Sequence, residues 1–289
     1  GYQPLAADLD LVLVNAPALG EGLAASAEGL REALAFAEAQ GLDPIAVLPI
    51  LPSNPAGVGL GAQALQALVE AAASVDLPVL IDAFYSPLAP EGHPAAVSLE
   101  VLQRVLAPEA LGLVGFLVGE TKVTSSQNKT GTLFWFAPPG HAGAANAIVG
   151  AAATRMRTTN AYPRPQEAVV AYALHTYAGG VHAAMGARYL ALHSARSAMR
   201  SAADRLGLPL SIGGSFYGTL ALVDEAGQGL VRDESGRPIA EARAVSETLI
   251  RRFGLVGAPG GMFSSAPEAG KMVRLTAAVT LEDIGRVAA

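Results

Sequence analysis

The chain has 289 residues, of which 51% are hydrophobic and 15% are charged, and its formal net charge is −6. A chain of this length buries a large core, in one large domain or in a large and a small one. The negative charge argues against a general nucleic-acid binder, and the lack of cysteine excludes disulfides and thiolate chemistry.

Membrane insertion is not expected, because no run of about 18 apolar residues is free of charge, Gly and Pro. The first residues lack a basic segment followed by an apolar stretch, so we expect no secretory signal peptide. With the absent cysteines, these features favour a cytoplasmic protein. The five histidines have no metal-ligand spacing, and we expect no metal site.

Apolar runs alternate with helical patterns over the first two thirds of the chain. The runs predicted as strands are 9–17, 45–51, 77–85, 111–119 and 132–137. Helices are predicted at 22–41 and 62–75, and one or two long helices from 166 to 206, where few breakers occur. This alternation predicts an α/β fold, with a mostly parallel sheet covered by helices on both faces.

The order of elements changes after residue 206. Further predicted elements are a strand at 215–224, a helix at 240–254 and a strand at 271–279. A terminal helix begins at the N-cap candidate Thr280. We therefore predict a large domain over 1–195 and a small C-terminal α+β domain over 196–289.

Polar side chains follow three of the predicted strands. Asn54 follows the second strand, Asp82 and Tyr85 close the third, and Lys122 follows the fourth. Taken singly, Asn54 is a turn residue, Asp82 a helix cap or loop anchor, and Lys122 a solvated surface group. Ligands of open α/β sheets bind beyond the carboxyl ends of the strands. Because these residues share that edge, we predict a ligand site there.

The combination of an amine, a carboxylate, a phenol and an amide indicates a particular chemistry. A partly desolvated lysine, or one close to another cation, becomes a nucleophile that can form a Schiff base. Lys129 is such a neighbouring cation, or a phosphate ligand. A buried carboxylate keeps a heteroaromatic nitrogen protonated, and phenol and amide donors bind a ring oxygen. These groups describe a pyridoxal phosphate site.

Four segments, in this order along the chain, resemble the class I/II aminotransferases, which are fold type I pyridoxal-phosphate enzymes. "SNPAG" resembles the Asn-Pro-Thr-Gly loop of that family, and "DAFY" resembles its Asp-x-x-Tyr element. "TKVTSSQNKTG" resembles the Ser-Lys…Arg-x-Gly segment, and "GAPGGMF…GKMVRLTAAV" resembles the stretch with the substrate-carboxylate arginine. The likeness runs from about residue 9 to the end and implies the family's fold.

The resemblance implies a role for each matching residue. Lys122 would be the Schiff-base lysine and would move a proton between the substrate α-carbon and C4′ of the cofactor. Asp82 would pair with the pyridinium nitrogen, and Tyr85 and Asn54 would bind the phenolic oxygen. Arg274 would bind the substrate α-carboxylate through two parallel hydrogen bonds, which a lysine cannot do.

Two further positions match the family less well. Lys129 stands in the place of the phosphate-binding arginine, and Arg157, in "RMRTTNAYPRP", falls near the place where some members bind a distal carboxylate. The family usually has Ser or Thr three residues before the Schiff-base lysine, and Gly119 stands there. One hydroxyl ligand of the phosphate is therefore missing.

The chain begins where members of the family are already past their first third, which carries the phosphate loop and the aromatic residue stacked on the cofactor. The alternatives are a fragment and a shortened relative. The fragment is favoured, because a sheet without its first strands would expose hydrophobic surface.

By this resemblance, the protein moves an amino group between an L-amino acid and a 2-oxo acid and forms a homodimer. A lyase or decarboxylase would use the same lysine and aspartate, since the outcome depends on which α-carbon bond lies perpendicular to the ring. A ligand-sensing or degenerate module of the same fold is the third alternative, and Gly119 and Lys129 favour it.

Overall fold

A computed structural model of the chain describes residues 2–17, 25–89, 96–119, 131–137, 140, 142–158, 165–176, 178–224, 226–253, 256–263 and 267–277. The chain divides into two compact units. The C-terminal unit comprises Gly1–Leu42, Ser53–Val58 and Ala191–Ala289, and the central unit comprises Asp43–Pro52 and Gly59–Leu190. The domain boundary at residue 195 stays a prediction.

The first segment of the chain, Gly1–Leu42, belongs to the unit that also contains the C-terminus. It includes helices α1 (Gln3–Asp8) and α2 (Ala27–Ala39). The N-cap Ser26 starts α2, since its Oγ accepts a hydrogen bond from the Gly29 N–H at 3.0 Å. Gly41 follows the helix with φ +67°, as a helix C-terminus favours. The predicted helix at 22–41 is therefore confirmed for its central part.

The strand predicted at 9–17 is wrong. Residues 11–17 have no regular structure, and Val12 is 68% exposed. Within the described ranges, no strand pairs with this segment. An apolar run forms a strand only where a neighbour satisfies its backbone N–H and C=O groups.

The central unit contains a three-stranded sheet in the order β1-β2-β3. Its strands are β1 (Val79–Asp82), β2 (Val114–Gly119) and β3 (Gly131–Trp135). β1 and β2 are parallel, and β2 and β3 are antiparallel, so the sheet is mixed. Residues 120–130 connect β2 to β3, whereas a parallel crossover needs a dozen residues or more. Asp82 and Gly119 end the two parallel strands on the same edge.

The strand predicted at 45–51 is reduced to two parallel bridges, one from Val47 and one from Ile50, both to β1. The reason is the proline content of the segment. Pro49 and Pro52 have no backbone N–H and interrupt the regular hydrogen-bond pattern of a strand. The segment still pairs with β1, on the side of β1 that faces away from β2, and it runs parallel to β1.

The central unit also contains six α-helices within its described residues. They are α3 (Ala62–Ala73), α4 (Leu99–Val105), α5 (Pro108–Leu111), α6 (Ala142–Thr158), α7 (Pro165–Thr176) and α8 (Ala178–Arg205), the last belonging to this unit up to Leu190. The helix predicted at 62–75 and the long helices predicted from 166 to 206 are confirmed. In the part of the chain that the structure describes, no helix has both the length and the apolar character needed to cross a bilayer.

The C-terminal unit contains an antiparallel sheet in the order β4-β5-β9-β8 and a two-stranded sheet of β6 and β7. Its elements after α8 are β4 (Leu210–Ile212), β5 (Tyr217–Ala221), β6 (Val231–Arg232), β7 (Pro238–Ile239), α9 (Ala242–Phe253), β8 (Ala258–Pro259) and β9 (Met272–Thr276). Leu222, Val245 and Val273 are fully buried in its core. The predicted strands at 215–224 and 271–279 and the helix between them are confirmed, and the helix predicted from Thr280 lies outside the described residues.

Candidate active site

Asp82 ends β1 on the edge of the sheet where the sequence predicts a ligand site. The residue is 8% exposed. Its backbone N–H donates to the Pro49 carbonyl at 2.9 Å, and its carbonyl accepts from the Leu51 N–H at 2.8 Å. Its carboxylate Oδ1 accepts a hydrogen bond from the Phe84 N–H at 3.2 Å. A carboxylate this buried favours a cationic partner, because an ionised group away from water is costly unless it is paired.

Tyr85 lies in the same turn, three residues after Asp82, and is 7% exposed. A short 3-10 turn, Ser86–Leu88, follows it. The Ser86 hydroxyl donates to the Val97 carbonyl at 2.7 Å and accepts from the Val97 N–H at 2.6 Å. Because this buried pair fixes the chain after Tyr85, the carboxylate and the phenol are carried by one well-anchored turn.

The ring of Phe84 lies against Gly119, the last residue of β2. A Cβ added at Gly119 would lie 2.0 Å from Cε1 of Phe84 and 2.6 Å from its Cδ1. Carbon atoms do not approach so closely, so a side chain at 119 and the ring in its present place exclude each other. The hydroxyl missing from position 119 therefore has a structural reason in this chain.

Arg274 and Asn54 are in direct contact within the C-terminal unit, although 220 positions separate them in the sequence. Nη1 of Arg274 donates to Oδ1 of Asn54 at 2.9 Å. Arg274 lies on the inner strand β9, opposite Thr219 of β5 and Ala258 of β8. The backbone of the guanidinium-bearing residue is therefore fixed from both sides.

Two aromatic rings cover the guanidinium of Arg274. Its Cζ lies 4.0 Å from the ring centroid of Tyr217 and 4.2 Å from that of Phe263. Tyr217 is the diagonal neighbour of Arg274 across the β5–β9 pair, which brings the two side chains within reach of each other. A planar cation fixed by rings and by an amide keeps the geometry needed for two parallel hydrogen bonds to a carboxylate.

The loop that carries Asn54 is closed by its own hydrogen bonds and is attached to β5. The Ser53 N–H donates to the Val58 carbonyl at 2.7 Å, and the Gly57 N–H donates to the Ser53 carbonyl at 2.7 Å. The Gly57 carbonyl accepts from the Gly214 N–H, also at 2.7 Å. Gly57 has φ +69°, and a Cβ there would lie 2.2 Å from the Tyr217 carbonyl oxygen. The loop therefore approaches β5 so closely that only glycine fits.

Replacing Gly57 with alanine is expected to destabilise the protein by at least about 2 kcal/mol, because strain at positive φ of about 1 kcal/mol is added to a backbone clash. Gly41→Ala is the matched control, since Gly41 has φ +67° and nothing within 4 Å of an added Cβ. Thermal unfolding of both variants checks the difference. Equal losses of Tm would contradict the close packing of the loop on β5.

A buried arginine of α8 supports the segment that precedes β5. Arg196 is 3% exposed, and its Nε donates to the Ser215 carbonyl at 2.8 Å. One turn further along, Nη2 of Arg200 donates to the Ile212 carbonyl. The end of β4 and Ser215, two positions before β5 begins at Tyr217, are therefore each attached to α8 through one side chain.

The structure brings together some of the residues predicted for the site. Asn54 contacts Arg274 in the C-terminal unit, and Asp82 and Tyr85 share one turn in the central unit. Lys122 and Lys129 lie outside the described residues. Arg157 lies on α6, and its side chain is outside the described part. Among the described residues, no three His, Asp or Glu side chains cluster as a metal site requires.

The sequence did not indicate four residues that shape these sites. Tyr217 has a signal, since it is an aromatic residue within the strand predicted at 215–224. Phe84 has a weaker one, as the large residue inside "DAFY". Phe263 and Arg196 have none, because stacking on Arg274 and binding to the Ser215 carbonyl are contacts between distant parts of the chain.

Solved structures of aminotransferases superpose on this chain. An aminotransferase from Mycobacterium tuberculosis matches 99% of it with a TM-score of 0.73 at 18% identity. A tetra mutant of the Thermus thermophilus aspartate aminotransferase matches 100% with a TM-score of 0.75 at 19% identity. The chain has the α/β fold of these enzymes. The N-succinyldiaminopimelate aminotransferase from M. tuberculosis also shares it, with 21% identity, a TM-score of 0.68 and 99% of this chain covered.

The chain spans 65%, 69% and 68% of the lengths of these three structures, respectively. No protein-family model matches the chain, and no curated protein matches it in sequence. The likeness is therefore one of fold.

The described residues fit the ring of pyridoxal phosphate at one point and lack a ligand for its phosphate at another. The buried carboxylate of Asp82 is the chemical partner that a protonated pyridine nitrogen needs. At Gly119 no hydroxyl is present, and the Phe84 ring fills the space of a side chain. Phosphate binding would therefore rest on residues other than 119, with Lys129 as the cation that the sequence offers.

Proposed function

We propose that this protein is a pyridoxal-phosphate-dependent aminotransferase that moves an amino group between an L-amino acid and a 2-oxo acid. The observation that carries the proposal is the Arg274 guanidinium, covered by Tyr217 and Phe263 and hydrogen-bonded to Asn54. Amino acids and 2-oxo acids share a carboxylate next to the reacting carbon, and this arrangement binds a carboxylate. The fold common to the solved aminotransferases supports the proposal.

Each proposed site residue has its own task in this reaction. Arg274 binds the α-carboxylate and orients the substrate, and Asn54 fixes the guanidinium. Pyridoxal phosphate, when bound, supplies an electron-withdrawing ring that stabilises negative charge at the α-carbon. Asp82 keeps the ring nitrogen protonated, and Tyr85 and Asn54 bind the phenolic oxygen, as the family resemblance implies. Lys122 takes the proton from the α-carbon and returns it at C4′.

The remaining assignments are proposals from the family resemblance. Lys129 neutralises the phosphate as a point charge, and Arg157 binds a second carboxylate of the substrate. A homodimer is proposed on the same basis, and a cytoplasmic location is proposed from the absence of cysteine.

The lysine content of the chain makes a sharp test possible, because its only lysines are Lys122, Lys129 and Lys271. The protein is incubated with pyridoxal phosphate and reduced with borohydride, and peptide mass mapping locates the attached pyridoxyl group. We expect the group on Lys122. Attachment to Lys129 or Lys271 instead would contradict the assignment.

Turnover is measured with pairs of amino acids and 2-oxo acids, by chromatography of the new amino acid. Lys122→Ala is expected to lower the rate about 10²- to 10⁴-fold, the contribution typical of a positioned general base. Lys271→Ala is the control, since Lys271 is exposed. Consumption of many equivalents of the amino acid per protein without a 2-oxo acid would instead identify a lyase or decarboxylase, because an aminotransferase stops after one equivalent.

A further inference from the structure

We propose that Phe84 is a positioning residue for the Asp82 carboxylate, and that the absent side chains of Gly119 and Gly131 provide the room that fixes its ring. The residues involved all belong to the central unit. The role toward a ligand rests on the proposed function, because Asp82 is there the partner of a ring nitrogen. The interlock, by which we mean that the Phe84 ring occupies the space left by the missing side chains of Gly119 and Gly131, does not depend on the proposed function.

The Phe84 ring covers a pair of glycines that face each other across two strands. Gly119 of β2 pairs with Gly131 of β3. A Cβ at Gly119 would lie 2.0, 2.6 and 2.8 Å from three carbons of the ring, and a Cβ at Gly131 would lie 3.1 Å from its Cζ. An aromatic side chain lying over glycines fills the gap that the missing side chains leave in a sheet. The ring therefore occupies the space that the side chains missing at the two glycines would take.

The same residue contacts the carboxylate. The Ala83 N–H still donates to the Leu117 carbonyl of β2, at 2.8 Å, so the chain leaves the sheet only after Ala83. The Phe84 N–H is then directed to Oδ1 of Asp82 at 3.2 Å. Because the ring and this N–H belong to one residue, we expect a displaced ring to shift the backbone at 84 and with it the hydrogen-bond donor. The orientation of the carboxylate thus depends on the glycine at 119.

This arrangement gives position 119 a different task from the one implied by the family resemblance. The resemblance implies a Ser or Thr hydroxyl that binds the phosphate. Here the space of that side chain contains the ring of Phe84. Glycine at 119 thus acts on the ligand indirectly, through Phe84 and the Asp82 carboxylate, at the nitrogen of the pyridine ring. Gly119→Ser is therefore expected to weaken binding rather than to supply a phosphate contact.

The test measures the equilibrium dissociation constants of pyridoxal phosphate and of its 1-deaza analogue, in which a C–H replaces the ring nitrogen. The ratio of the two constants reports the contact between Asp82 and the ring nitrogen and does not require turnover. Wild type is expected to prefer pyridoxal phosphate, and Asp82→Asn defines the ratio without the charge. Gly119→Ala is expected to lower the wild-type ratio about tenfold, the effect of disturbing one hydrogen bond to a charged group.

Gly115→Ala is the matched control. Gly115 lies on the same strand, and a Cβ there would meet Trp135 at 2.6 Å, so this variant also disturbs the β2–β3 pair. It lies away from Asp82, opposite Leu80. We expect a lower Tm and an unchanged ratio. If Gly119→Ala keeps the wild-type ratio, or if Gly115→Ala lowers it equally, the positioning role is overturned.

A double-mutant cycle tests the interlock even where Gly119→Ala folds poorly. In the Phe84→Ala background the ring is gone, so Gly119→Ala is expected to lower Tm much less than in wild type. Equal losses in both backgrounds would overturn the interlock. A wild-type protein that binds both ligands equally would overturn the proposed function together with the positioning role, whereas a preference that Gly119→Ala leaves intact overturns the positioning role alone.

Discussion

Replacing Asp82 with asparagine is expected to lower kcat/KM for transamination about 10²- to 10⁴-fold. The reason is that the substitution would remove the charge from the pair that we propose between this carboxylate and the ring nitrogen, and breaking a buried ion pair costs about 3–5 kcal/mol. The asparagine Oδ1 still accepts a hydrogen bond from the Phe84 N–H, as Oδ1 of Asp82 does at 3.2 Å. The variant therefore removes the negative charge of residue 82 and keeps the hydrogen bond that fixes its side chain.

The thermal unfolding of Asp82→Asn is expected to stay within about 4 °C of wild type, since its buried hydrogen bond is kept. Asp43→Ala is the control for removing a carboxylate from the same unit at an exposed position. A wild-type rate in Asp82→Asn, with pyridoxal phosphate bound, would show that this carboxylate does not pair with the ring nitrogen.

Replacing Arg274 with lysine is expected to raise the dissociation constant of a carboxylate ligand about 10²-fold. An ammonium group cannot form two parallel hydrogen bonds, and it loses the planar contact with the Tyr217 and Phe263 rings. Each hydrogen bond to a charged group is worth about 1.5–3 kcal/mol, and an exposed cation–π contact about 0.5–1 kcal/mol. An α-methyl amino acid is a suitable probe, because it has no α-proton to lose.

Arg243→Lys is the matched control for the arginine substitution. Arg243 lies on the exposed surface of α9, where its side chain is 79% exposed and pairs with Glu247. Binding is followed by calorimetry on protein loaded with pyridoxal phosphate. If Arg274→Lys binds the probe as wild type does while Tm is unchanged, the substrate carboxylate lies elsewhere. Asn54→Ala is expected to give a smaller loss in the same direction, because it frees the guanidinium without removing it.

Local patterns were sufficient for much of the fold. The helix at Ala27–Ala39 was predicted from its helical pattern and the Gly41 that follows it, although its start was placed at 22, and the long helices from Pro165 to Arg205 follow from a stretch with few breakers. Strands β1, β2 and β3 were predicted from continuous apolar runs. These features depend on neighbours within a few residues, which is the range over which propensity and capping act.

The failures all concern the pairing of strands. A strand needs a partner, and the sequence does not show where the partner lies. The run at 9–17 has strand composition but lies without a paired strand among the described residues, and the run at 45–51 pairs with β1 only where its prolines allow. The direction of β3 likewise depended on the shortness of its connection to β2.

For the candidate site, the sequence by itself determined the chemistry of the side chains and the Asp82–Tyr85 spacing that puts a carboxylate and a phenol on one turn. Only the tertiary structure decided that Asn54 meets Arg274 across 220 positions, that two rings cover the guanidinium, and that Phe84 takes the space at Gly119. The identity of each residue and the short spacings between residues follow directly from the sequence. Contacts between distant segments depend on how strands align and how closely backbones approach, and these arise only once the whole core has packed.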